Sequence, residues 1–164
     1  MPVTDAIAWL HGTPTTPSDV FTSTTSDYSD NELDFGPYAA GTATPYLPEF
    51  PSRIEKGYTF PPEIPGNGGV EMGIHIVIGA AIVPGSATAG TVNVTSDATS
   101  SSTDIIATRT LTLAQLAVPG AHYFIPVNGV TVLRYLRCNF IGVTAAVTSG
   151  TAVAWFGPRC GGEQ

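Results

Sequence analysis

MGIHIVIGAAIVPGSATAGTVNVTSD, residues 72–97, decides the fold. Met72, Ile74, Ile76 and Ile78 alternate with Gly73, His75, Val77 and Gly79. Successive side chains of a strand point to opposite faces, so this period of two places one apolar row on one side. Pro84 and Gly85 close the segment, and Val92 and Val94 then alternate with Asn93 and Thr95 in a second strand.

The same grammar runs outward in both directions. SDATSSSTD, residues 96–104, reads as a loop, and Ile105 to Leu113 as a strand or mixed strand and turn. TLAQLAVPG (112–120) reads as a turn with one helical turn, and AHYFIPV (121–127) as a strand ending at Pro126. Asn128 and Gly129 mark a reversal. Arg134 to Val147 is a long strand with Leu136, Cys138 and Phe140 on one face and Tyr135, Arg137, Asn139 and Ile141 on the other. Ser149 and Gly150 are expected to form a hairpin turn into TAVAWFGP. Towards the N-terminus, DVFTSTT (19–25) and Asn31 to Phe35 can add edge strands. Short strands with regular turn signals and no amphipathic helix predict an all-β protein, an antiparallel jelly roll or β-sandwich.

Composition agrees. Charged residues are 12% of the 164, about half the usual share, while turn and strand formers abound. This length suits one domain. The net charge is −7, with six Lys and Arg in all, which argues against a nucleic-acid partner because phosphate binding needs clustered bases. The charge is uneven: residues 1–71 hold ten acids and two bases, residues 72–164 three acids and four bases. MPVTDAIAWLHGTP has no basic n-region and no long apolar run, so the expectation is a soluble protein made in the cytoplasm, with no membrane partner.

Ten of the fourteen prolines lie at or before Pro65, most of them between Gly36 and Gly69. Each fixes φ and removes a backbone donor, so this tract is neither helix nor sheet interior. It carries more aromatic side chains than a flexible linker does. The chain therefore divides into an N-terminal arm, 1–20, and one jelly-roll domain, 21–164, interrupted by an extended proline-rich insertion at 37–69. That insertion reads equally as an arm docked on a neighbour or as a long loop lying on its own domain. Tyr38, Tyr46, Phe50, Tyr58 and Phe60 are its candidate interface anchors, since large aromatics dominate interface energy.

Signals of chemistry are weak. His11, His75 and His122 lack the HxH or HxxxH spacing that presents two ligands from one element. His75 and His122 can meet across a sheet, yet packing or hydrogen bonding is the expected role, and no metal or cofactor is expected. No GxSxG elbow occurs, so no catalytic residue is assigned. Asp27, Asp30, Glu32 and Asp34 lack the DxDxDG pattern of a Ca²⁺ loop and read as a solvated acidic surface. PGNGG (65–69) follows no strand and opens no helix, so it reads as a turn, and the sequon at Asn93 lies on a strand. Cys138 and Cys160 form no CxxC motif, and Cys138 is expected to be buried and reduced.

Three stretches carry a family likeness: TSTTSDYSDNELDFG (22–36), residues 72–113, and YFIPVNGVTVLRYLRCNFIGVTAAVTSGTAVAWFGP (123–158), with Arg134-Tyr135-Leu136-Arg137 the most specific piece. Together they resemble the capsid cement, or decoration, proteins of tailed phages, of the Bordetella-phage type. The first twenty residues and the insertion depart from shorter members. The resemblance implies a non-enzymatic jelly roll that trimerises near three-fold axes on the capsid exterior of the virion, with the major capsid protein as partner. Arg134 and Arg137 are then expected to brace the sheet or a trimer contact. Two other readings are a carbohydrate-binding or host-adhesion sandwich, using exposed Trp9, Trp155 or tyrosines to stack on a glycan, and a small hydrolase that would gather histidines or carboxylates in one pocket.

Overall fold

Ile74, Ile76 and Ile78 all point into the interior, as their spacing requires, and are at most 1% exposed. The computed structural model describes residues 9–34, 58–59, 71–128 and 130–159. In chain order the described strands are β1 (Trp9–His11), β2 (Ser18–Asp19), β3 (Leu33–Asp34), β4 (Tyr58–Thr59), β5 (Met72–Ile78), β6 (Ala89–Asp97) and β7 (Ile105–Thr112). A four-residue helix α1 (Leu113–Leu116) precedes β8 (His122–Pro126), β9 (Thr131–Val132), β10 (Tyr135–Val143) and β11 (Thr151–Pro158).

One antiparallel sheet has the order β1-β11-β5-β8, with β2 also paired to β11, and the other has the order β3-β10-β6-β7. Leaving aside the short β2, β4 and β9, the first sheet takes the first, eighth, third and sixth strands and the second takes the second, seventh, fourth and fifth. That order results when one long antiparallel hairpin rolls up on itself, so the chain is a jelly roll. Both sheets turn an apolar face inward: Ile74, Ile76, Ile78, Tyr123, Ile125, Ala152 and Ala154 from one, and Val92, Val94, Leu111, Leu136, Cys138 and Phe140 from the other. Burial pushes the Cys138 thiol up to about 12, so it stays protonated and behaves as a small apolar side chain.

The predicted strands recur with three differences. DVFTSTT forms a strand only at Asp19, the end of β2, because Phe21 takes φ 59° and breaks the extended run. β10 ends at Val143, four residues short of Val147, because Thr144 takes φ 74° and breaks the extended run. The expected hairpin at Ser149 and Gly150 is instead a crossover, since β10 and β11 lie in different sheets. Gly150 has φ 147°, and a Cβ there would collide with Ile82, so the turn signal was real although its strands are not partners. The helical turn after β7 is α1, held by a capping box: the Gln115 amide donates to Thr112 Oγ1 at 3.4 Å, and the Thr112 amide donates to Gln115 Oε1 at 2.9 Å.

Residues 9–34 line one side of the sandwich, feeding β1 and β2 to β11 and β3 to β10. Leu10, Val20 and Phe21, all 0% exposed, enter the core from this segment. Between β2 and β3 the chain follows β10 without regular pairing. Cys138 O accepts the Ser29 amide and Asp27 O accepts the Phe140 amide, each at 2.8 Å, as does Ser23 O from Gly142. Tyr58 and Thr59 pair with Val132 and Thr131.

Candidate functional site

Because β5 commits its isoleucines to the core, Gly73, His75 and Val77 face outward. In register, His75 lies opposite Trp155 of β11 on one side and Phe124 of β8 on the other, and Trp155 lies opposite Trp9 of β1. Four strands thus place one ring each in a row across the outer face. Trp9 and Trp155 have centroids 5.2 Å apart at 66°, and His75 stacks on Trp155 at 4.9 Å and 6°. Phe124 is 4.8 Å from His75, and His122, two residues along β8, is 5.1 Å from it. Parallel rings one strand spacing apart must stand upright on the sheet, so Trp155 and His75 present edges outward.

The row has a polar spine. His75 Nε2 lies 2.8 Å from Pro158 O and His75 Nδ1 2.9 Å from His122 Nε2. A carbonyl only accepts, so His75 Nε2 carries the proton and donates to Pro158 O. In the neutral ring Nδ1 must then accept, and His122 Nε2 donates to it. His75 is 0% and Phe124 4% exposed, whereas Trp9, Trp155 and His122 are half-buried. Gly73 makes the packing possible, since a Cβ there would overlap the Ile125 carbonyl and come 2.6 Å from Phe124 Cζ. Two arginines frame β8: Arg109 Nη1 donates to Phe124 O at 2.8 Å, and Arg159 lies 5.5 Å over the Phe124 ring while paired to Glu71 at 2.8 Å.

The acidic run Asp27 to Asp34 lies at the surface, as read, with Asp30 and Asp34 exposed, but its carboxylates are also engaged in hydrogen bonds. Asp27 Oδ2 accepts the Thr22 amide at 2.7 Å, and Asp30 Oδ2 accepts the Gly12 amide at 2.9 Å and the Ser18 hydroxyl at 2.6 Å. Glu32 accepts the Ser101 and Ser102 amides at 2.8 and 2.7 Å, pinning the serine-rich loop. Asp34 meets Arg134 through two bonds of 2.7 and 2.9 Å. The physical reason is the irregular edge: where no strand pairs the backbone amides, carboxylates accept them. Burial opposes ionisation of Asp30, but the Ser18 and Gly12 hydrogen bonds and nearby His11 outweigh it, holding its carboxyl below 3.8.

Arg134 also lies 4.8 Å over Tyr135. Arg137 donates from Nε to Ser102 O at 2.8 Å and sits 3.6 Å over the Tyr28 ring, with Glu32 3.9 Å away. Both arginines therefore make contacts within their own chain. Of the aromatic anchors, Tyr38, Tyr46, Phe50 and Phe60 lie outside the described residues, as does most of the 37–69 insertion, and only the backbone of Tyr58 is described.

Two of the three histidines come together. His11 is elsewhere: its ring packs 4.8 Å from Phe140, its Nε2 donates to Asp19 O at 2.9 Å, and its Nδ1 accepts the Asp30 amide at 3.3 Å. Among the described residues, no group of three or more His, Cys, Asp or Glu is placed to hold a metal. Also among them, no helix is long and apolar enough to cross a membrane. Trp9 and Trp155, read from sequence as exposed rings, are partly buried neighbours. The signal for the row was in the strands: Tyr123-Phe124-Ile125 and Val153-Ala154-Trp155-Phe156 show no polar alternation, the mark of a strand covered on both faces.

A comparison with curated proteins finds no match. The Bbp16 family matches residues 60–156, a span that takes in β5 to β10 and most of β11 and leaves out residues 22–36. That is more than half of the 164 residues, so this jelly roll belongs to the Bbp16 family, whose name points to a Bordetella phage protein.

Proposed function

We propose that the protein is a structural, non-enzymatic component of the phage particle, a cement protein that decorates the capsid exterior as a trimer near three-fold axes and binds the major capsid protein. Jelly rolls serve viral capsids and lectins alike, so the fold by itself does not choose. The observation that carries the reading is the pair of half-buried rings Trp9 and Trp155, fixed on the sheet face by the buried His75 and Phe124 behind them, in a chain of a phage family. Large aromatic rings held rigidly on a sheet face suit contact with another protein surface, where they bury area at little entropic cost. The anchors Tyr38, Tyr46, Phe50, Tyr58 and Phe60 add a second set of contacts in this reading. Many modest contacts repeated by symmetry then hold a shell that no single contact holds.

A host-glycan reading draws on the pairing of Trp9 with Trp155. Sugars stack on ring faces, however, and Trp155 has His75 against one side and Trp9 against the other. That geometry favours the protein partner.

The test is sedimentation with shells of the cognate phage that lack this protein. Co-sedimentation with assembled shells but not with free coat subunits is expected, together with a solution mass of three times 17.0 kDa. Absence of shell binding overturns the proposal, and a hit on a glycan array without shell binding replaces it.

A further inference from the structure

The segment 9–34 is braced within itself before it meets the rest of the chain. The Asn31 amide donates to Leu10 O at 2.9 Å, and Asn31 Nδ2 to Trp9 O at 3.2 Å. Asp30 ties Gly12 to Ser18, and His11 joins Asp19 to Asp30. All its pairing to the body falls on sheet edges: β1 and β2 lie along β11, and β3 lies along β10. Lifting it away leaves β11-β5-β8 and β10-β6-β7 with every ladder between them intact.

The contacts that seat it are local to that side. Leu33 and Asp34 face Leu136 and Tyr135, Glu32 holds the amides of Ser101 and Ser102, and Asp34 holds Arg134. Leu10, Val20 and Phe21 fill the core beneath. Nothing in this set depends on the segment belonging to the same chain as the body, so a second copy's segment would make the same bonds in the same register.

Covalent reach does not dictate the choice either. From Asp34 to the Tyr58 that pairs with β9 there are 23 intervening residues, which span up to about 75 Å when extended. A jelly roll of this size measures about 35 Å across. Where copies stand side by side, own and neighbouring seats present comparable effective concentrations to the segment.

We infer that residues 9–34 are an exchangeable clasp, seated on the jelly roll of a second copy of this chain when copies assemble. The inference rests on the proposed assembly of copies on the capsid. Exchange converts touching surfaces into interlocked chains, so separating two copies requires unseating Leu10, Val20 and Phe21 from the core as well as parting an interface. Trp9, carried by the clasp, then joins the ring row of the neighbour.

Disulfide trapping tests this in the full chain. Asp19 lies directly opposite Thr151, and Asp34 directly opposite Tyr135, at spacings of roughly 4.5–5.5 Å that suit a disulfide. The double variants Asp19→Cys/Thr151→Cys and Asp34→Cys/Tyr135→Cys, each with Cys160→Ser, are bound to shells, oxidised and run on a non-reducing denaturing gel. Cys138 is 0% exposed and does not compete. Covalently joined dimers and trimers from either variant are expected. Single-chain bands alone from shell-bound protein overturn exchange while leaving the cement reading standing. Failure of the unmodified protein to bind shells sinks the cement reading, and oxidation of the free protein then decides exchange by the same bands. Two pairs on different sheets keep the test decisive if one variant fails to fold.

Discussion

Replacing His75 and His122 singly and together measures whether the outer row is held by its hydrogen bonds or only by contact. In His75→Phe the ring stack on Trp155 and Phe124 persists, but Pro158 O and the His122 N–H lose their partner. A polar group stranded in the interior costs about 1–3 kcal/mol. Pro158 is exposed and its carbonyl can turn to water, whereas His122 is half-buried and recovers only in part. The expected loss is about 2 kcal/mol, at the lower end for two groups. His122→Phe strands His75 Nδ1 inside a fully buried ring and is expected to cost about 1–2 kcal/mol. The double variant deprives only the Pro158 carbonyl of its donor and leaves neither end of the histidine pair stranded, so it should be less damaged than the sum, by a coupling of about 1 kcal/mol. Any strain from fitting the larger ring occurs in both arms and cancels. Urea unfolding followed by tryptophan emission, at one fixed protein concentration, gives the three differences, and Trp155 reports from beside the substitution. A coupling below about 0.3 kcal/mol refutes the hydrogen-bonded pair.

Phe140→Ala removes a ring that is 0% exposed and lies 5.7 Å from Phe21 and 4.8 Å from His11, and urea unfolding should show a loss of about 3–5 kcal/mol. Gly73→Ala drives a methyl into the Ile125 carbonyl and the Phe124 ring and should cost about 2 kcal/mol or more. Gly157→Ala, where the nearest atom is Trp155 Cδ1 at 3.7 Å, should stay within about 0.5 kcal/mol, and thermal melts of the pair separate the two. Asp30 is held below its ordinary 3.8 in the folded chain, so the unfolded carboxyl takes a proton first and the ion's contribution vanishes as pH falls through the folded value. The melting-point advantage of wild type over Asp30→Asn should therefore be full well above 3.8 and shrink as the pH is lowered from about 6 through 3.8 and below. A gap independent of pH over that interval contradicts the arrangement.

The jelly roll was legible because a period of two survives in β5, β6 and β10, where Ile74, Val92 and Leu136 each begin or continue an inward row. Which strands become neighbours was not. Periodicity fixes the face a residue takes, while the partner is fixed by how the whole chain rolls up, so Ser149 and Gly150 look the same whether they close a hairpin or carry the chain to the opposite sheet. The same limit hid the row. His75 and His122 are 47 positions apart and His75 and Pro158 are 83 apart, and only the order β1-β11-β5-β8 sets them side by side. The bonding of the acidic run was hidden for a related reason: composition counts its charges, but not the backbone amides of Gly12, Thr22, Ser101 and Ser102 that the fold brings beside them.

The clasp and the ring row are parts of one arrangement. Trp9 belongs to β1, so the outermost ring on the face of the first sheet arrives with the segment that also supplies Leu10 to the core and, through Asp34, a partner for Arg134 on the second sheet. Whatever displaces residues 9–34 therefore shortens the row by one ring, opens the core at Phe21 and frees the Ser101 and Ser102 amides together. In the proposed attachment, losing the clasp removes Trp9 from the contact and uncovers Trp155 beside it. Attachment through the row and retention of the clasp should accordingly fail together, at the same denaturant concentration, when shells carrying the protein are titrated with urea.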